Sequence, residues 1–124
     1  MTKTLCTGLA AAAFIFLAAA VAHSEAAAYT WTGMGVSVPG SSKCATYRMT
    51  VDLVVDGNSV KGVLRQQGRE ERRFETTRDA QGLFKAKVML ANDNAMDVSG
   101  TISDAEKRVL LDGYCKFEGR LTPK

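Results

Sequence analysis

Histidine is nearly missing from this chain: among 124 residues there is one, His23. Beyond position 23 there is therefore no imidazole to activate a serine or cysteine nucleophile. Zinc would likewise find no protein ligands past a single cysteine pair. Cysteine is scarce as well, with Cys6, Cys44 and Cys115 the full set. No apolar run reaches the roughly 20 residues that a helix needs to cross a bilayer. After Tyr29, helical periodicity of useful length is also lacking. The charge imbalance is small, +3 overall, and does not by itself mark a partner such as nucleic acid. These absences argue against an enzyme built on histidine, a zinc protein, a membrane-spanning protein and a helical one.

What is present begins with an export signal. Met1-Thr2-Lys3-Thr4 carries one lysine, and the apolar run Leu9 to Val21 follows it. This order, completed by small residues, has the layout of a secretory signal peptide. Residues 1–28 are assigned to it, with cleavage after Ala22, or alternatively after Ala28. Cys6 precedes the apolar run, the wrong side for lipidation, and departs with the signal, while His23 lies at the cleavage region. Residues 29–124 then form a single β domain in the periplasm or extracellular space. Its two remaining cysteines, Cys44 and Cys115, pair as one disulfide in an oxidising compartment. For a loop of this length the chain-entropy model gives about 4 kcal/mol, comparable to the net stability of so small a domain.

The mature region alternates with a period of two. Tyr47, Met49, Val51, Leu53 and Val55 face one way, while Arg48, Thr50 and Asp52 face the other, the mark of a half-buried strand. Asp56-Gly57-Asn58-Ser59 supplies a two-residue hairpin turn, which sets Val55 opposite Val60 and Leu53 opposite Gly62. A second turn centred on Gly68 sets Arg65 opposite Glu71, Lys61 opposite Glu75 and Gly62 opposite Phe74. Further on, Phe84, Ala86, Val88 and Leu90 point inward, as do Met96, Val98, Gly100 and Ile102, then Val109 and Leu111. The last strand, about Tyr114 to Leu121, turns Cys115, Phe117, Gly119 and Leu121 inward. Three segments share the order apolar, any, Gly, any, aliphatic: Val60 to Leu64, Val98 to Ile102, and Phe117 to Leu121. A glycine within a strand marks a bend or a close approach. Seven or eight short strands with tight turns predict an all-β fold, a small antiparallel up-and-down β-barrel, with a β-sandwich as the alternative.

Candidate sites are few. Five arginines crowd the stretch from Arg65 to Arg78, but the hairpin register sets opposite charges across neighbouring strands, Arg65 facing Glu71 and Lys61 facing Glu75, which is ordinary sheet stabilisation. Glu75 is expected to face Lys85 across the following strand pair. Arg73 beside Lys87 is left without a partner of opposite sign. Asn92-Asp93-Asn94 with Asp97 has neither the spacing nor the distal glutamate of a calcium loop. Asp52, Asp97, Asp112 and Glu118 have outward parity, which does not favour a raised pKa. Trp31, the only tryptophan, is shared in position with small ligand-binding barrels of the lipocalin and avidin type. Here Gly33 follows it instead of preceding it, so the likeness is architectural and no family is implied.

The expected function is that of an exported, non-enzymatic binding module, a monomer with no cofactor, metal, nucleic acid or membrane span. A protein partner is favoured, as for an inhibitor or an envelope-complex subunit, because short strands leave an interior that side chains can fill. The alternative is a small-ligand carrier with a cavity near Trp31. Trp31, Tyr29, Arg73 and Lys87 are the candidate contact residues.

Overall fold

A computed structural model of the chain describes residues 26–37, 39–90 and 94–124. The body of the signal segment, Ala22, His23, Asn92 and Asp93 lie outside these residues. Nine strands follow one another: β1 (Ala27–Met34), β2 (Arg48–Asp56), β3 (Ser59–Gln66), β4 (Arg72–Thr77), β5 (Leu83–Met89), β6 (Ala95–Ile102), β7 (Lys107–Asp112), β8 (Lys116–Arg120) and the two-residue β9 (Thr122–Pro123). A 3-10 turn, Ser42–Thr46, precedes β2. Among the described residues no helix is long and apolar enough to cross a membrane.

The turns set the register. Gly57 at φ 59° permits the tight β2–β3 turn, and Val55↔Val60 and Leu53↔Gly62 pair as the alternation predicts. Gly68 at φ 79° serves the β3–β4 turn, where Gly62↔Phe74 and Lys61↔Glu75 pair. The inward rows form one core: Val51, Leu53, Val60, Val98, Ile102, Val109, Leu111 and Phe117 are almost wholly buried. Burial of these side chains, at about 25 cal/mol per Å² of apolar surface, is the main stabilising contribution.

The expected closed barrel does not form. The ladders make two antiparallel sheets, β4-β3-β2-β1-β9 and β5-β6-β7-β8, which is the sandwich alternative. The strands still run around the molecule in chain order, but at two corners the ladder gives way to isolated bridges, Arg78↔Phe84 and Val36↔Lys116. Aromatic rings fill both corners. Phe74 lies on Gly62 and Phe84 on Gly100. These two rings stack at 6.4 Å between centroids, 13° from parallel. At the other corner the Trp31 indole lies against Gly119 and Gly33. All three glycines of the repeated pattern are thus seats for an aromatic ring. These rings occupy the two corners at which the ladder gives way to single bridges.

The second corner lies at the C-terminal end. The chain bends at Leu121, whose N–H bonds Lys107 in the second sheet. Thr122 and Pro123 then cross to pair with Thr30 and Tyr29. β9 thereby continues β8 along the edge of β1 in the register of the Val36↔Lys116 bridge, with the ladder interrupted between the two. Strands that switch sheets at a bend are how sandwiches turn their corners. The corner register also differs from expectation: the Arg78↔Phe84 bridge does not set Glu75 opposite Lys85. The N-terminal bound is earlier than expected as well, since Ala27 and Ala28 pair with Val55 and Val54.

Candidate functional site

The two ends of the sandwich differ. At the end carrying the Gly57 turn, Arg78 seals the interior. Its guanidinium donates to the Gly57 carbonyl at 2.9 Å and to the Ile102 carbonyl at 2.7 Å. Among the described residues no such plug stands at the other end, where the disulfide lies. Cys44 and Cys115 are bonded, with Cα atoms 5.4 Å apart. Cys44 sits on the 3-10 turn before β2 and Cys115 in the β7–β8 turn, one residue short of β8. The bond ties the loop ahead of β2 to that turn, as the parity of the two cysteines requires.

Beside the disulfide, the interior opens as a cleft of about 430 Å³. Its floor is apolar: Met49, Leu64, Met96, Phe117 and Cys115, all buried. Its rim is polar, and the strand pattern explains why. Four inward rows end here on a polar side chain, Tyr47 beyond Met49, Gln66 beyond Leu64, Arg72 before Phe74 and Asn94 before Met96, while the β5 row ends on Leu90. Glu70 and Arg69, from the β3–β4 turn, complete the charged part of the rim. Tyr114 stands over the mouth and is 75% exposed. An apolar floor with a few convergent polar groups, in a volume of this size, is the usual build of a small-molecule site.

The charges on the rim are loosely held. Arg72 has one ion pair, a 3.9 Å contact with Glu70, whose side chain is 82% exposed. Arg69 forms no ion pair among the described residues; its backbone N–H bonds the Gln66 carbonyl.

The outer face of the first sheet is different, because its charges are tied together. Lys124 Nζ lies 3.4 Å from Asp52, and Asp52 accepts from Arg65 in a short ion pair. Arg65 Nε donates to Glu71 at 3.0 Å, and Glu71 accepts from Arg73 at 2.9 Å. Partial burial pushes the Asp52 carboxyl up. Hydrogen bonds from Thr30, Arg65 and Lys124 outweigh that and hold it below the ordinary aspartate value. Glu71 is also lowered, chiefly by the hydrogen bond from Arg73. Arg65 is raised, chiefly by its bond to Asp52. The Arg65–Glu71 pairing follows the predicted hairpin register.

The four candidate contact residues are not brought together. Trp31 is half-buried at the β1–β8 corner and does not line the cleft. Tyr29, two residues back, has the Lys107 ammonium 6.0 Å from its ring centre. Arg73 is paired with Glu71 rather than left unmatched beside Lys87. Lys87 sits on the second sheet, directly across from Asp97. Parity alone places Met49, Leu64, Met96 and Phe117 in the interior, but an open end cannot be read from it. The readable signal was the polar residue at each inward row's end, above all Gln66 and Arg72. Among the described residues no three His, Cys, Asp or Glu side chains converge as metal ligands.

The chain matches no family model, no curated protein and no solved structure. The class that the fold defines is a two-sheet antiparallel β protein, stapled by a disulfide beside a cleft at one end.

Proposed function

We propose that this protein is an exported, non-enzymatic binding module, and that the cleft at its disulfide end takes the apolar body of a small molecule. One observation carries the reading: four of the inward rows change from apolar to polar at that end, around about 430 Å³ over a floor of Met49, Leu64, Met96 and Phe117. Two methionines in the floor suit a flexible chain, because thioether side chains repack at little cost. The carrier reading therefore gains on the protein-partner reading, which rested on a completely filled interior. The site lies at the disulfide rather than at Trp31.

Export is part of the same proposal. It rests on the lysine-then-apolar order of residues 3–21 and on the Cys44–Cys115 disulfide. Cleavage after Ala22 leaves β1 whole, whereas cleavage after Ala28 removes two of its paired residues.

The test is saturation-transfer NMR on the oxidised protein with 1-octanol and octanoate, repeated on Gln66→Trp. Gln66 is on the rim, so an indole there blocks the mouth without disturbing the floor. The expected result is uptake by the wild-type protein and at least a tenfold loss in the variant, with an unchanged melting temperature. Failure of both probes to bind, or equal binding by Gln66→Trp, overturns the reading.

A further inference from the structure

Taking that cleft as a binding site, we infer that its ligand is a single-chain amphiphile with a carboxylate or similar anionic end, held at the rim by Arg72 with help from Arg69. The observation is a charge in an unusual place. Arg72 occupies an inward position of β4, two residues before the buried Phe74 and paired across the ladder with Leu64. Among the inward positions of β2 to β8 the only other charged side chain is Lys107, whose ammonium is engaged by the Ser103 carbonyl and the Tyr29 ring. The rest are aliphatic, aromatic, small or uncharged polar side chains. An arginine there places its guanidinium where the apolar floor meets solvent.

Its present partner satisfies it poorly. Glu70 is 3.9 Å away and largely exposed, beyond the 2.7–2.9 Å of a good charge-assisted hydrogen bond. Guanidinium offers five donors in a planar fork matched to a carboxylate. Arg69, one residue before Glu70 and without an ion pair, adds a second positive charge on the same rim. Of the three charged rim residues two are cationic, so the rim is complementary to an anion. The rest of the rim, Tyr47, Gln66, Asn94 and Tyr114, supplies hydroxyls and amides but no further charge.

The position of the arginines also fixes the ligand's orientation. Met49, Leu64, Met96 and Phe117 receive the chain, and the anionic end stays at the mouth where it remains partly hydrated. That geometry avoids the several kcal/mol that full desolvation of a carboxylate costs. Glu70 acts against the ligand: binding exchanges one weak carboxylate contact of Arg72 for a closer one. Removing Glu70 should therefore strengthen anion binding, the opposite of removing Arg72.

The experiment compares octanoate with 1-octanol, equal in chain length and different in charge, by NMR titration of the oxidised protein. Octanoate should bind roughly fivefold more tightly than 1-octanol, the scale of one partly exposed ion pair. Arg72→Gln should abolish that advantage, weakening octanoate binding more than 1-octanol binding, and Glu70→Gln should increase it. Arg69→Gln, at an exposed turn, should reduce it by a smaller factor with no effect on folding. Equal affinity for the two probes in the wild-type protein overturns the inference but leaves the cleft as a binding site. An octanoate preference that survives Arg72→Gln overturns the assignment to this residue. Binding of neither probe removes the cleft reading, and this inference with it.

Discussion

Replacing Gly119 by alanine tests the way the corners are closed. The added methyl group would land on the Trp31 indole, so the ring, the strand or both must shift. Ordinarily a strand glycine gains about 0.5–1 kcal/mol on becoming alanine, from reduced backbone entropy of the unfolded chain. Here the overlap should reverse that sign. Overpacking a fitted site costs typically 1–3 kcal/mol, and because the indole is only half-buried it can swing outward instead of straining the backbone. A net loss of about 2 kcal/mol lowers the melting temperature of a domain this size by roughly 8–16 °C. Trp31 is the sole tryptophan, so the displacement is visible without a label. Its emission should shift to the red as the ring enters water. The control is Gly119→Ala placed in a Trp31→Leu background, where the obstacle is smaller and the alanine should cost under about 0.5 kcal/mol or stabilise. If Gly119→Ala leaves both the melting temperature and the emission maximum unchanged in the wild-type background, the ring does not seat on Gly119 and the account of the corner is wrong.

Acid stability should depend on Asp52. Its carboxyl is lowered on folding, so the stability it contributes is full above its unfolded pKa, about 3.9, and is lost as pH falls through the folded value. Asp52→Asn should therefore flatten the decline of stability with acid, seen as melting temperature against pH from 6 to 2; parallel curves would contradict this. Replacing Cys115 with serine, in a chain also carrying Cys44→Ser, should cost up to about 4 kcal/mol and lower the denaturant midpoint, with octanoate uptake reduced because the bond borders the cleft. Arg78→Ala strips the Gly57 and Ile102 carbonyls of their guanidinium donor and should cost about 1–3 kcal/mol. Circular dichroism melts check it, and a variant as stable as wild type would show that Arg78 is no plug.

Much of the interior could be read from residue order, because a period of two leaves little choice once the turns are placed. Gly57-Asn58 sets Val55 against Val60, and Gly68 sets Arg65 against Glu71, since both are local constraints. The corners were harder to read. Whether β4 pairs with β5 depends on rings that meet through space, Phe74 on Gly62 and Phe84 on Gly100, not on neighbours in the chain. The crossing of Thr122 and Pro123 to β1 depends equally on a bend at Leu121 that carries no turn signature. Arg73 was misplaced because cross-strand pairing was considered without the same-strand neighbour two residues away, Glu71. The cleft was half visible. Gln66 and Arg72 share the parity of Leu64 and Phe74, a break in an apolar row, but the cleft that the described residues form at that end is a feature of the assembled fold.

Under the proposed function, the space beside the disulfide receives a ligand chain. Intermolecular NOEs between octanoate and methyl-labelled protein measure it directly. The account predicts contacts from the octanoate methylenes to the methyl groups of Met49, Leu64 and Met96, and none to the Trp31 indole. Contacts to the Trp31 corner, or none to those three methyl-bearing residues at millimolar octanoate, would contradict it.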